Sequence, residues 1–493
     1  MYVARFVAAA LGLLAIGAAH AADTGAPANG APVKAGTETV LPATTPPWSE
    51  RVLVQHIDFD AFAGSLDAER MNELAALGLK LFTAKFTLAD GAGRPLSTQA
   101  IVPTNRKRPV ADLFSRTAGM DANACSSCHN DPAPGGAGDF TQNVFVSEGF
   151  DTPDFDSLDP QFSNERGTKA MNGSGLVELL AREMTADLQA ERKAALHEAR
   201  ASGTPVKAGL HSKGVDFGTL TANPDGTVDL AELDGVDTDL IIRPFSQKGV
   251  FNSIRQFTIN ALNQHHGMQA TERFGKRWTG TDDFDGDGFK DEISPGDVSA
   301  LVAFQATMKM PSVRADLPRE WQDAAATGAA NFTRMGCAAC HRPALPLKSL
   351  SFADPGPIDA AGTLRNGEVK QGISFDLGQT EWGKSLKRDA DGNYLVPLFG
   401  DLKRHVVADA QVAALGNELL GQRFVERDVF LTAELWGVAS TAPYGHRGDK
   451  TTMDEVIRAH GGEARGARDA YVDGSDADRQ SIIAYLKTRV IEK

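Results

Sequence analysis

The 493-residue sequence predicts a mainly α protein of two units, each built round one Cys-x-x-Cys-His segment, with long loops and insertions between the helices. Three observations predict this. Cys125-Ser126-Ser127-Cys128-His129 recurs as Cys337-Ala338-Ala339-Cys340-His341. Each copy is flanked by runs whose apolar residues recur at helical spacing. Glycine is frequent (49) and aromatics are few (7%), as expected where chain wraps a large apolar ligand in loops and short helices. The length allows two or three domains with substantial cores; we place the units at 67–315 and 316–493.

The repeated segment carries the chemistry. Two thiols one helical turn apart can add across the two vinyl groups of one porphyrin, while the adjacent histidine presents its imidazole to the iron; Cys-x-x-Cys-His is the attachment signature of c-type haem. A Cys-x-x-Cys alone would also fit a redox pair or half a zinc site. The following histidine, present in both copies, weakens those readings. All four cysteines of the chain are consumed, leaving none for a structural disulfide. The sequence therefore predicts two covalently bound haem c groups, tethered at Cys125/Cys128 and Cys337/Cys340, with His129 and His341 as axial ligands. The bland alternative, two disulfides each followed by a chance histidine, predicts a colourless protein.

Residues 1–21 supply the export route that such attachment requires. Arg5 gives a charged start, Phe6 to Ile16 an apolar run, and Ala19-His20-Ala21 a small-x-small cleavage site. The run is too short for a membrane span, so we expect removal and a periplasmic or secreted product. Residues 22–66, which begin rich in Ala, Gly, Thr and Pro, read as a flexible lead-in. The formal charge of −14 argues against nucleic acid or an anionic membrane as partner; it is compatible with a basic electron-transfer protein.

From Asp67 the spacing of Met71, Leu74, Leu77, Leu81 and Phe82 predicts a helix leading to the first motif. The stretch before Cys125 reads as an insertion, and the Pro/Gly-rich segment after His129 as a loop. A helix is expected over 175–203; His197 and His211 lie in polar surroundings and read as exposed. Asn223 to Glu232 resembles part of a calcium loop but reads better as a turn. The next helix, 251–268, places Ile254, Phe257, Ala261, His265 and Met268 on one face and His266 beside it. His265 or His266 is a candidate for the distal side of the first iron, Met268 is a third, and register alone does not choose. Arg243, Lys248 and Arg255 are candidate propionate partners, with solvated charge as the ordinary reading.

Asp283, Asp285 and Asp287 stand at the first, third and fifth positions of an acidic loop, with Gly288 at the sixth and Asp291 at the ninth. Oxygen ligands at alternate positions with a glycine for the turn suit calcium, although Ser294 replaces the usual bidentate Glu; an Asx-bonded turn is the alternative. Trp278 reads as a buried structural residue or an electron relay. A helix over 296–310 closes the first unit, and Pro311 stops it. The second unit opens with a helix over 321–335, closes with one over 477–490, and places His405 in a loop, read as surface.

One further segment carries a resemblance. Leu435-Trp436-Gly437-Val438-Ala439-Ser440-Thr441-Ala442-Pro443-Tyr444-Gly445-His446-Arg447-Gly448, with Asn164-Glu165-Arg166-Gly167 and His266-Gly267-Met268, resembles the di-haem cytochrome c peroxidase superfamily. Within it the chain looks most like the di-haem oxidoreductase branch, formerly described as thiol oxidoreductases. The resemblance runs from about Gly78 to the C-terminus and implies two cytochrome c-like haem domains. In the peroxidases a methionine about fourteen residues after the signature histidine is the distal ligand of the C-terminal haem. The corresponding residue here is His460, which implies a His341/His460 pair with His446 near that haem as a pocket residue. Imidazole in place of thioether lowers the potential of that haem.

The resemblance further implies electron flow from the C-terminal haem to a reactive N-terminal one. Hydrogen peroxide would be the oxidant, and a small cytochrome c or cupredoxin the donor. No close match to the family's catalytic glutamate is found. The expected function is a periplasmic di-haem oxidoreductase, peroxidase-like. The alternatives are a non-catalytic electron carrier, with His265 or His266 closing the first iron, and an oxygenase or protein-modifying relative.

Overall fold

The computed structural model describes residues 46, 48–93, 122–145, 163–284, 286–358, 360, 362–418, 421–422 and 425–492. The expected signal peptide and Asp285 lie outside the described residues. Among the described residues no helix is long and apolar enough to cross a membrane.

Helix α1 (Ala68–Thr83) begins where the Asp67 carboxylate accepts the Arg70 N–H, a standard N-cap. Its Met71, Leu74, Leu77, Leu81 and Phe82 are buried at the spacing the sequence displays. Against them lies the last helix of the first unit, which is apolar almost all round and therefore enclosed on every side. A Cβ added at Gly78 would stand 1.9 Å from the Ala300 carbonyl oxygen, so the two helices cross at backbone contact. Between them in sequence run α2 (Ser174–Ser202) and α3 (Ile254–Ala261); the enclosed helix is α4 (Pro295–Thr307). It opens with a capping box between Ser294 and Asp297 and with Pro295 in its first turn.

The crossing recurs near the second Cys-x-x-Cys-His segment. Helix α5 (Arg319–Arg334) packs on α6 (Asp476–Leu486), and a Cβ at Gly328 would lie 1.9 Å from the Ser481 carbonyl oxygen. Asn331 donates to Asp478 and Ser481 across the same contact. Gly328→Ala must push the helices apart, and overpacking of this kind costs about 1–3 kcal/mol. We expect that loss in chemical denaturation of the variant. An unchanged midpoint would show that the crossing is not tight.

Two expectations are corrected. The chain is mixed rather than mainly α: helices carry the core, but short strands join into small sheets. Val206–Ser212, Val215–Ala222 and Val228–Asp229 form one, burying Leu210, Phe217 and Leu220. A second ties the lead-in to the later part of the chain, because Gly64–Leu66 pairs in parallel with Ile373–Asp376, which in turn pairs with Ser351–Asp354. Arg489–Val490, expected at the end of a helix, instead pairs with Ser312–Val313.

The second correction concerns the lead-in, which packs into the core from Leu53 onward. Leu53, Ile57 and Phe62 are buried, and Asp90 accepts the Val52 and Leu53 N–H groups. The Ile57 N–H and the His56 ring both bond to Asp297 at the start of α4.

Candidate cofactor sites at the two Cys-x-x-Cys-His segments

Each Cys-x-x-Cys-His segment is a single helical turn. Cys125–Ser127 and Cys337–Ala339 are 3-10 turns, and the His129 and His341 N–H groups reach back to the Cys125 and Cys337 carbonyls, both at 3.1 Å. Two thiols and an imidazole are thereby carried on one turn, as the spacing predicts. Burial pushes the Cys125 thiol up to about 12 and the Cys337 thiol up to about 11. Burial of this kind disfavours the thiolate at Cys125 and Cys337.

The surroundings are duplicated as well. Phe82 of α1 tilts against His129 at 6.3 Å between ring centres, and Phe332 of α5 against His341 at 6.4 Å. Behind each stands an aromatic of the closing helix, Phe304 at 5.0 Å from Phe82 and Tyr485 at 5.7 Å from Phe332. Both imidazoles use Nδ1 on backbone carbonyls: His129 on Lys169 at 2.9 Å, His341 on Ala433 at 3.1 Å and Phe399 at 3.3 Å. That bond fixes the tautomer and turns Nε2 outward. Burial pushes both rings down to about 4, leaving them neutral, the form that binds metal.

His460 follows the short helix Met453–Arg458, whose start is capped by Thr452 and Glu455. Its Nδ1 is spent on the Val456 carbonyl at 2.7 Å, and its ring centre lies 6.4 Å from that of His341. Metal–imidazole bonds run about 2 Å and a ring centre lies roughly 1 Å behind its nitrogen, so two rings sharing one metal stand roughly 6–6.5 Å apart. The His341/His460 spacing fits that arrangement.

At the first segment, α3 ends in a π turn, Leu262–His266. Such turns add a residue to a helical repeat and re-aim the side chains that follow, which is why a straight helical wheel could not separate the two histidines. His266 is buried with Nδ1 on the Ala122 carbonyl at 2.5 Å and Nε2 3.5 Å from the Cys125 sulfur. His265 lines the same cavity as His129 and is near enough to help hold its pKa down. Met268 is fully buried in the core. The cavity is open to solvent at its mouth and is lined by Phe82, Phe257, Leu301 and Trp436 beside the Cys125–His129 turn.

The His446 ring stacks on Phe430 at 4.2 Å, its Nε2 is 3.4 Å from Glu418, and Glu418 pairs with Arg166, a lining residue of the first cavity. Burial, with Arg166 and Lys248 nearby, pushes His446 down to about 3. His405 is buried rather than at the surface, between Asp401 at 2.8 Å and Glu463 at 2.7 Å. Burial opposes its charge, but Asp401 and the neighbouring Cys340 raise it to about 11.

The proposed propionate partners are engaged within the protein. Lys248 donates to three backbone carbonyls, Arg255 pairs with Glu272 and Asp354, and Arg243 with Asp237 and Asp239. His197 and His211 are exposed as expected.

In the acidic loop, Asp283 accepts the Gly286 and Gly288 N–H groups, and Asp287 accepts that of Phe289. These are the local bonds of the Asx-turn reading. Among the described residues Asp283, Asp287 and Asp291 form no metal-sized cluster; the group that does converge is Cys340, Asp401 and His405. Trp278 packs between Arg277 and Arg365. Trp436, which the sequence left within a signature, lines the first cavity instead, with Glu434 beside it.

No family model matches the chain, and no curated protein matches its sequence. Among solved structures, the chain is similar to hydrazine synthase of Kuenenia stuttgartiensis at 12% identity, with 92% of this chain and 100% of that one covered and a TM-score of 0.36. A MauG-like protein associated with microbial copper homeostasis matches at 14% identity over 64% of this chain and 89% of that one, with a TM-score of 0.27.

Proposed function

We propose that the chain is an exported di-haem c-type oxidoreductase of peroxidase type. The observation that carries this reading is the duplication itself: two Cys-x-x-Cys-His turns, each with Nδ1 of its histidine on a carbonyl and a phenylalanine against its ring. Cys125/Cys128 and Cys337/Cys340 would hold the two rings, and His129 and His341 would ligate the irons. Haem, when bound, supplies reversible one-electron chemistry at both positions and an oxidant-binding iron at one.

The two sites are built for different work. His341 and His460 face each other at a separation that leaves no room for substrate, which suits storage and relay of electrons. The first site opens into the cavity that Gln247, Gln264, His265 and Gln305 help to line, which suits access of a small oxidant. Reduction of one hydrogen peroxide takes two electrons and two protons and yields two waters; the electrons would come from a small basic donor protein, as the chain's acidity allows. His265 in that cavity supports a second reading, a pure electron carrier with both irons closed by histidine.

Electron paramagnetic resonance of oxidised and half-reduced protein, with and without cyanide and peroxide, tests both. The peroxidase reading expects a site that becomes five-coordinate or binds cyanide, at least after half-reduction. Two irons that stay low-spin and ignore both ligands would leave the carrier.

A further inference from the structure

The two histidine carbonyl acceptors are tied to one another. His129 Nδ1 bonds to the carbonyl of Lys169, while His341 Nδ1 bonds to the carbonyl of Ala433. The Lys169 ammonium reaches Glu434, the next residue after Ala433, at 3.0 Å. Beyond it the Leu435 N–H bonds to Leu398, beside Phe399, the second acceptor of His341. Trp436 follows, lining the first cavity with its ring packed over Gly173, where α2 begins. Residues 433–436 therefore form one strap that touches both sites.

We propose that the Lys169–Glu434 ion pair is a positioning device that couples the two haem centres, so that a change of charge at one alters the reduction equilibrium of the other. The physical route is the basicity of each axial imidazole. It depends on how firmly its Nδ1–H is held by the carbonyl behind it, and the bridge constrains both carbonyls. Glu434 is mostly shielded and Lys169 about one third exposed, with side chains 12% and 35% accessible. The pair is therefore better shielded than a surface ion pair, and the coupling is reciprocal by linkage. The inference rests on the two-haem reading above.

Spectroelectrochemical titration of the holoprotein, following each haem by its own signal, tests it. The quantity read is the factor by which reducing one haem changes the reduction equilibrium of the other. Lys169→Met and Glu434→Gln should each lower that factor about threefold, or about 28 mV at 59 mV per tenfold change for one electron. The double variant should add no further loss. A simple field effect behaves otherwise, since removing a cation and removing an anion shift the potentials in opposite directions.

The exchanged pair, Lys169→Glu with Glu434→Lys, should restore at least half the factor. An unchanged factor in both single variants, with two haems present, overturns the coupling and leaves the two-haem reading standing. Failure of the exchanged pair to incorporate haem, together with both single variants, also overturns it, because the bridge would then serve assembly. Wild-type protein without two haem signals would instead overturn the reading beneath.

Discussion

Alanine at both Cys337 and Cys340 is expected to yield protein with half the wild-type Soret absorption and a mass lower by one covalently bound haem. The matching change at Cys125 and Cys128 should remove the other half. Each segment holds its thiols and its imidazole on one turn, and nothing else in the chain can form a thioether, since these four are all its cysteines. The measurement is intact-protein mass with the pyridine haemochrome spectrum, on material made in a host competent for cytochrome maturation. Unchanged mass and colour in either variant would end the covalent reading at that segment. Retained colour with one haem lost from the mass would mean that His341 and His460 hold a ring without its tethers, which their 6.4 Å spacing makes feasible.

The second large effect is structural. Arg255→Met is expected to destabilise the protein by about 3–5 kcal/mol, the usual result of removing one partner from a buried charge network. Arg255 donates to both Glu272 oxygens at 2.7 and 2.8 Å, to Asp354 at 2.8 Å, to Ser299 at 2.9 Å and to the Pro295 carbonyl at 3.1 Å. It is 3% exposed, and its carboxylate partners are equally buried. Their charge holds the guanidinium well above its ordinary pKa, despite the opposing effect of burial.

Without Arg255 both carboxylates lose their counter-charge, and α3, α4 and the strand Ser351–Asp354 lose their common tie. Arg243→Met, which breaks pairs with the half-exposed Asp237 and Asp239, should cost about 1 kcal/mol or less. Urea denaturation of the two variants side by side makes the comparison. Equal losses would show that burial does not set the scale here.

Much of this was legible in the sequence because it is local. The Cys-x-x-Cys-His turns, the apolar stripe of α1 and the capped start of α4 each depend on residues within a few positions of one another, and the expected helices appear within a few residues of their bounds. His460 was legible only through the signature that precedes it. What escaped was non-local or irregular. A π turn after Ala261 shifts register by a residue, so the helical wheel could not rank His265 against His266. The strands are short, several only two to four residues, and their partners lie far away in sequence, so alternation had little room to show. His405 looked exposed because its neighbours are polar; Asp401, four residues earlier, turns in to its ring, and Glu463 is brought to the other side by folding. The Lys169–Glu434 bridge joins two residues that no pattern connects.

The strand Gly64–Leu66 finds its parallel partner only at Ile373–Asp376, and Ser312–Val313 waits for Arg489–Val490 near the end of the chain. During synthesis from the N-terminus, the first segment emerges long before the piece of backbone that completes its edge. Closing such distant pairs is slow, and an open edge invites wrong partners meanwhile. Until the late half arrives, the early half carries backbone edges that only distant chain can cover.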